Sequence, residues 1–173
     1  MIQFKLQRTI SLFLKVKKAA WENRSIYQDT FGRTFKMSVV KELICIEADN
    51  TISFGNYELS QKSKKENFEY NGDLYKVKTF KEITKLERNG MFVYESVPGT
   101  AVSHFAEDDK ELSFEVEGME DAQITVELEE ETEYRIWIDG EEAGTVKTNK
   151  GGKLSLSVEL ENADKASVKI QKA

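Results

Sequence analysis

The sequence is short of cysteine and histidine, and each shortage removes a class of site. Cys45 is the only cysteine, so an internal disulfide is impossible, which fits a reducing compartment. His104 is the only histidine, although the nucleophilic triads of hydrolases need a positioned base that is usually histidine. One histidine and one cysteine cannot build a zinc site without many carboxylates. We therefore expect no hydrolase triad, no metal site and no cofactor.

Long apolar runs are also missing. The longest near the N-terminus covers residues 10–14, far short of the roughly 20 residues that a membrane span needs. The same run is too short for the apolar region of a secretory signal, and lysines follow it where small residues should stand. We therefore expect no membrane span, no export signal and a cytoplasmic location.

What the sequence does contain divides unevenly at Met37. Residues 1–36 hold eight Lys or Arg and two Asp or Glu, a net charge of +6. Residues 37–173, the body, hold 17 Lys or Arg and 29 Asp or Glu, a net charge of −12. Such an asymmetry usually separates a tail from a domain. The acidic body argues against a nucleic-acid partner, because contacts with phosphate need clustered Lys and Arg.

Residues 1–36 allow three interpretations. One is a targeting peptide, for which a basic and acid-poor composition is typical. Another is an amphipathic helix that packs on the body or a partner. The third, which we favour, is a start extended upstream of the natural one, because residues 32–37 can be encoded by a purine-rich ribosome-binding site, a spacer and a start codon. The apolar face of the helix would consist of Leu6, Ile10, Phe13, Leu14, Ala20 and Trp21.

Turn signals punctuate the body. Asn71-Gly72, Asn89-Gly90 and Asp139-Gly140 each adjoin apolar segments, and such pairs favour two-residue hairpin turns because both central residues need φ > 0. Segment 39–48 is apolar on both faces, which predicts a central strand. Segment 61–67 is polar and lysine-rich, which predicts an exposed loop.

The second half of the body alternates strictly between apolar and polar residues, which indicates strands with one buried and one wet face. We therefore predict an all-β fold, an antiparallel, hairpin-rich sandwich or barrel, with a basic non-β N-terminal extension at 1–36. The charged stretch 106–110 is the best internal boundary, so the body can be divided into two small β modules, 37–106 and 107–173.

No local motif indicates catalysis. The sequence has neither a phosphate-binding glycine loop nor a nucleophile elbow around any serine. The acidic run at 129–133 lacks the spacing of a calcium loop, so we interpret it as a solvated loop. Cys45 lies in an apolar strand, where buried cysteines act as small hydrophobes. We interpret His104 as structural or exposed.

One aromatic residue stands out as a candidate for binding. Trp137 lies between two isoleucines, so it faces away from Ile136 and its strand neighbours Tyr134 and Ile138. If those apolar residues face the core, Trp137 and Arg135 share the outer face of the sheet. An outward Trp beside Arg can anchor a protein partner or stack a sugar. The alternative is that another part of the protein or a dimer mate covers Trp137.

Several segments of the body resemble one family. The resemblance begins at Met37, covers the body, and is carried by residues 50–57, 72–80, 84–102, 130–134 and 151–160. The family consists of small proteins of unknown function from anaerobic Gram-positive, Clostridia-type bacteria, and they are often labelled "endosialidase". Segment 137–144 also resembles the strand–Asp-Gly–strand hairpins of small β-sandwich modules on surface and carbohydrate-active proteins.

The label implies glycan chemistry, but the residues for it are scarce. Sialidases bind the sialate carboxylate with an arginine cluster, whereas the body has two arginines, Arg88 and Arg135. The body is also too short for a propeller of several blades. We therefore expect a non-catalytic β-structured binding protein, with a protein partner or self-association through Arg135 and Trp137. The alternative is a carbohydrate-active enzyme or its glycan-binding accessory module.

Overall fold

The computed structural model describes residues 39–173 and, within the extension, the backbone of four residues that form an antiparallel pair of strands, β1 (Tyr27–Gln28) and β2 (Thr34–Phe35). The sequence predicted no strand in the extension, and the helix considered for residues 6–21 lies outside the described residues. Val39–Ala173 forms one compact unit, which begins two residues after the charge change at Met37.

Residues 39–173 contain thirteen strands and no helix, so the all-β prediction is confirmed. Accordingly, no described helix is long and apolar enough to cross a membrane. The strands are β3 (Ile44–Ile46), β4 (Ile52–Phe54), β5 (Ser63–Tyr70), β6 (Asp73–Phe80), β7 (Ile83–Arg88), β8 (Met91–Val97), β9 (Ala101–Glu107), β10 (Glu111–Glu117), β11 (Ala122–Glu127), β12 (Glu133–Ile138), β13 (Glu141–Lys147), β14 (Lys153–Val158) and β15 (Ala166–Lys172).

The thirteen strands build two antiparallel sheets. A seven-stranded sheet has the order β13-β12-β15-β10-β9-β4-β3, and a six-stranded sheet has the order β14-β11-β8-β7-β6-β5. β15, although last in chain order, therefore lies inside the seven-stranded sheet between β12 and β10. The chain passes between the sheets six times, after β4, β8, β10, β11, β13 and β14.

Side chains from both sheets share one core, which makes the fold sandwich-like. Alternation along each strand turns every second residue inward, so Phe114 of β10 faces Tyr94 of β8 at 5.7 Å between ring centroids. Phe54 lies 5.3 Å from Tyr94 and 5.6 Å from Phe105, both in edge-on geometry. Such aromatic pairs add about 0.5–1.5 kcal/mol each beyond the area that they bury.

The predicted hairpin turns are confirmed. Asn71 and Gly72 have φ of 50° and 85°, Asn89 and Gly90 of 52° and 80°, and Asp139 and Gly140 of 51° and 81°. Both central residues of each turn are thus left-handed, as the twist of two-residue hairpins requires. The three turns join β5 to β6, β7 to β8 and β12 to β13.

Two local predictions are wrong. The lysine-rich segment 61–67, predicted as a loop, belongs mostly to β5, an edge strand whose charged residues face solvent. Segment 39–48, predicted as a central strand, forms strand only at residues 44–46, and this β3 lies at the edge of the seven-stranded sheet. Residues 41–42 form a turn and Leu43 has a φ of 67°, so the extended backbone begins only at β3.

The sheets do not follow the division of the body at residue 106. That position lies inside β9, which pairs with β10 from the other side of the division. The six-stranded sheet likewise joins β8 to β11. Segments 37–106 and 107–173 therefore contribute strands to both sheets and side chains to one core.

A network of buried hydroxyl groups holds the connection between β8 and β9 in place. Thr84 Oγ1 lies 2.8 Å from Thr79 Oγ1 and donates to the Thr100 carbonyl at 2.7 Å. Thr100 Oγ1 lies 2.9 Å from the Tyr94 hydroxyl and 2.8 Å from the Ser96 hydroxyl. No buried side-chain nitrogen or oxygen of the described residues lacks a partner, so this network holds the Thr100 backbone without leaving a polar atom unpaired.

The two lateral sides of the sandwich differ. On one, which we call the closed side, β3 contacts β5, and the Tyr70 hydroxyl of β5 donates to the Asn50 carbonyl of the other sheet at 2.5 Å. On the other, the open side, β13 and β14 are the last strands of their sheets. β14 buries Leu154, Leu156 and Val158, whereas no residue of β13 is buried.

Candidate binding surface

The packing of β12 directs Arg135 and Trp137 to the outer face of the seven-stranded sheet. Tyr134 and Ile136 are 5% and 4% exposed and Ile138 packs against the core, so the intervening residues point away from it. Arg135 is exposed and Trp137 is partly exposed. The sequence therefore predicted the orientation of this pair correctly, while its role in binding stays a prediction.

Neighbouring strands complete a surface around this pair. On β15, Gln171 lies opposite Arg135 and Lys169 lies opposite Trp137. On β13, Glu142 lies opposite Trp137. We call these residues the Trp137 surface: Arg135, Trp137, Glu142, Lys169 and Gln171. It combines one aromatic ring with charges of both signs and an amide.

Lys169 covers part of the indole. Its Nζ lies 4.3 Å from the centroid of the Trp137 ring, a cation–π contact that contributes about 0.5–1 kcal/mol at exposed sites. A ligand can therefore reach the edge of the ring directly, but it must move the ammonium to stack on the covered face. Within residues 39–173, no carboxylate forms an ion pair with Arg135, so its guanidinium donors face solvent.

A β-bulge lies beside the surface. The register between β12 and β13 shifts between Ile136 and Trp137, because Ile136 pairs with Gly144 and Trp137 pairs with Glu142. Ala143 is thus the extra residue, and Gly144 has a φ of 131°, which L side chains rarely adopt. Bulges of this kind re-aim side chains and bend a strand at a sheet edge.

A second concave feature lies at one end of the sandwich, where turns of both sheets meet. This end cleft has a volume of about 600 Å³. Two ion pairs stand in its walls, Arg88 with Glu107 at 2.9 Å between Nη1 and Oε2, and Lys172 with Glu129. The hydrogen bond to Glu129 raises the pKa of Lys172. The buried Tyr134 hydroxyl accepts the N–H of Glu129 at 3.2 Å.

Carboxylates outnumber cations around the cleft. The lining contains the basic residues Arg88, Lys110 and Lys172 and the acidic residues Glu107, Asp108, Asp109, Glu111, Glu127 and Glu129. One acid has a structural role, because Asp108 Oδ1 accepts the N–H groups of Lys110 and Glu111 at 2.8 Å each. Among the described residues, no three His, Cys, Asp or Glu side chains are grouped so that they could hold a metal ion.

His104 belongs to an exposed polar cluster on the closed side. Its Nδ1 lies 2.8 Å from Asp49 Oδ2 and 3.4 Å from Thr51 Oγ1. Hydrogen bonds from the Thr51 hydroxyl and N–H, with a smaller contribution from His104, lower the pKa of Asp49 to about 2. His104 has a φ of 52° and is about half exposed.

The cluster contains the residue types of a triad without its geometry. A triad histidine contacts the carboxylate through one ring nitrogen and the hydroxyl through the other. Here both Asp49 and Thr51 lie against Nδ1, and the hydroxyl of Thr51 donates to Asp49 Oδ1 at 2.6 Å. The imidazole therefore cannot take a proton from Thr51 while Asp49 orients it.

Cys45 differs from its interpretation as a buried hydrophobe. It is partly exposed, pairs with Ser53 across the β3–β4 hairpin, and lies on the outer face of the sheet because its neighbour Ile44 points into the core. Its Sγ lies 4.0 Å from Glu47 Oε1. Ser53 donates to the same carboxylate oxygen at 2.5 Å.

Comparisons of the chain with protein-family models, with curated proteins and with solved structures find no match. The sites can therefore be judged from their geometry alone. The end cleft escaped the sequence interpretation because its walls come from three separate turns that only the sheet order brings together. The local signals were the Asn89-Gly90 turn and the charged 106–110 stretch, which mark chain reversals without showing that they meet.

Proposed function

We propose that this protein works by binding a protein partner through the Trp137 surface and not by catalysis. The observation that carries the proposal is the pairing of a partly exposed Trp with an exposed Arg that has no ion-pair partner in residues 39–173. Trp and Arg are the residue types most enriched among the side chains that dominate protein interfaces. Their fixed position on neighbouring sheet residues lowers the conformational entropy that binding would cost.

The surroundings of Trp137 favour a protein over a glycan. A sugar would stack on a ring face, whereas Lys169 lies over one face of this indole. Glu142 and Lys169 flank the ring on opposite sides, so the surface offers both charge signs within two strand spacings. Mixed charge around an aromatic anchor suits a protein interface, where complementary potentials set orientation and specificity.

The test is affinity capture of partners by the full chain, with wild type compared with Trp137→Ala and Arg135→Ala. Phe92→Ala is a matched control, because Phe92 lies on the six-stranded sheet with the ammonium groups of Lys153 and Lys85 at 4.5 Å and 5.7 Å from its ring centroid. Phe92 also lines the end cleft, so loss of a partner by this variant alone would point to the cleft instead. We expect a partner that both variants lose and that Phe92→Ala retains. If wild type and Trp137→Ala capture the same amount of each partner, the Trp137 surface is not the binding site.

The end cleft supports a second candidate, a carbohydrate-active or glycan-binding protein. Its volume of about 600 Å³ lies within the usual range of small-ligand sites. Carboxylates, which glycosidases use as acid, base or nucleophile, line it together with Tyr134. A glycan array and a polysialic acid turnover assay with the full chain test this candidate. Binding or turnover that Asp109→Asn reduces and Trp137→Ala leaves intact would favour it over the protein partner.

A further inference from the structure

β13 is an edge strand that the sandwich leaves uncovered on both faces. It pairs with β12 on one side, and no described strand pairs with its other side. Six of its seven residues are exposed, and the seventh, Gly144, is partly exposed. Val146 pairs with the buried Tyr134 and so points toward the core side of the sheet, yet it is 37% exposed. The outer edge of β13 thus offers backbone N–H and C=O groups to another strand.

The two faces of β13 can be assigned from its register with β12. Lys147, Thr145 and Glu142 pair with Glu133, Arg135 and Trp137, which places them on the outer face. Val146 and Gly144 pair with Tyr134 and Ile136, which places them on the inner face. Ala143 is the bulge residue between Gly144 and Glu142.

This order of residues is complementary to itself. When β13 is laid antiparallel to a second β13 with Thr145 opposite Thr145, Gly144 lies opposite Val146 on the inner face. Ala143 is the extra residue of the bulge and is left out of the pairing, so Lys147 lies opposite Glu142 on the outer face. Every pair then joins residues of the same face. The two-fold axis passes between the two Thr145 residues, so the Lys147–Glu142 pair occurs twice in the dimer. Opposite charges and Thr–Thr pairs that face each other across two antiparallel strands stabilise the pairing.

We propose that two copies of this chain associate through their β13 edges in this register. Charged residues and bulges ordinarily protect edge strands from pairing, but here the charges oppose one another in sign across the two-fold axis. The dimer would join two seven-stranded sheets into one of fourteen strands. This inference goes beyond the proposed function and does not depend on it. The two share Glu142, which belongs to the Trp137 surface, whereas Lys147 and the backbone edge of β13 lie outside that surface.

Charge reversal gives a sharp test by sedimentation velocity of the full chain over a range of concentrations. Glu142→Lys places Lys opposite Lys twice, and Lys147→Glu places Glu opposite Glu twice. We expect each variant to raise the dimer dissociation constant at least about tenfold. An equimolar mixture of the two variants should dimerise again, because each heterodimer restores two opposite-charge pairs.

The mixture also separates pairing from effects within one chain. Lys147→Glu faces Glu133 of its own β12, but such repulsion is the same in the mixture as in the variant alone. Lys150→Glu, in the turn after β13, is the matched control for the change of charge and should dimerise like wild type. The proposal is overturned if wild type stays monomeric, if either variant dimerises like wild type, or if the mixture stays monomeric.

Discussion

The closed and open sides of the sandwich differ in how their edge strands are held to the rest of the fold. On the closed side, the Asn50 turn of the seven-stranded sheet is bonded to Tyr70 of the six-stranded sheet. The polar cluster of Asp49, Thr51 and His104 then ties this turn to β9. On the open side, β14 is half buried while β13 has no buried residue.

The difference indicates which side carries stability and which is free for recognition. Side chains that link elements distant in sequence hold the closed side, so substitutions there should act on folding. The open side contains a strand that contributes little to the core, together with the neighbouring Trp137 surface. Elements of low local stability and high exposure are where binding is usually found. Three predictions test this contrast.

The largest contrast should come from paired truncations. Phe54 of the closed side is fully buried between Tyr94 and Phe105, so Phe54→Ala should lower the free energy of unfolding by about 3–5 kcal/mol. Val146→Ala on the open side should change it by less than about 0.5 kcal/mol in dilute protein. Urea denaturation followed by tryptophan fluorescence measures both. Similar losses for the two variants would show that β13 belongs to the core.

A smaller contrast is expected between two glycines that both have positive φ. Gly140, in the β12–β13 turn, has a φ of 81°, and a Cβ there would point into open space, so Gly140→Ala should cost about 1 kcal/mol from backbone strain alone. Gly55, after β4, has a φ of 94°, and a Cβ there would collide with the Thr100 carbonyl oxygen. The buried hydroxyls hold that carbonyl in place, so Gly55→Ala should cost at least about twice as much. Equal midpoints in thermal melts would contradict this contrast.

The smallest effect should appear at low pH. The pKa of Asp49 is about 2 in the folded protein and close to its ordinary value of 3.8 when unfolded. A lowered folded pKa contributes stability above the unfolded pKa and loses it as pH falls through the folded pKa. The contribution of Asp49 should therefore fade between pH 3.8 and about pH 2. In Asp49→Asn, the free energy of unfolding measured by urea denaturation should change less with pH in that window than it does in wild type. The same pH dependence in variant and wild type would contradict this prediction.

Local patterns predicted much of the strand content. The turns at Asn71-Gly72, Asn89-Gly90 and Asp139-Gly140 followed from two residues that tolerate left-handed backbone. The outward direction of Trp137 followed from the alternation of its strand. These features depend on neighbours in sequence, so a single sequence carries them.

Features that depend on distant partners could not be read in the same way. β5 has a loop-like composition because an edge strand needs few apolar residues, and its pairing is decided by β6. The end cleft needs the sheet order, since residues near 88, 108 and 128 are brought together only by packing of the two sheets. The charged stretch at 106–110, interpreted from the sequence as the boundary between two β modules, contains the hairpin turn between β9 and β10. The pairing of these two strands could not be inferred from the composition of the stretch.

The position of β15 has a consequence for how the protein is made. Residues 166–172 fill the gap between β12 and β10, so the seven-stranded sheet stays in two parts until they have been synthesised. The unpaired backbone N–H and C=O groups of β10 and β12 are meanwhile open to other chains, and long-range β pairing is slow. We therefore expect a chain that lacks residues 166–172 to aggregate more readily than the full chain, in which β15 closes the sheet.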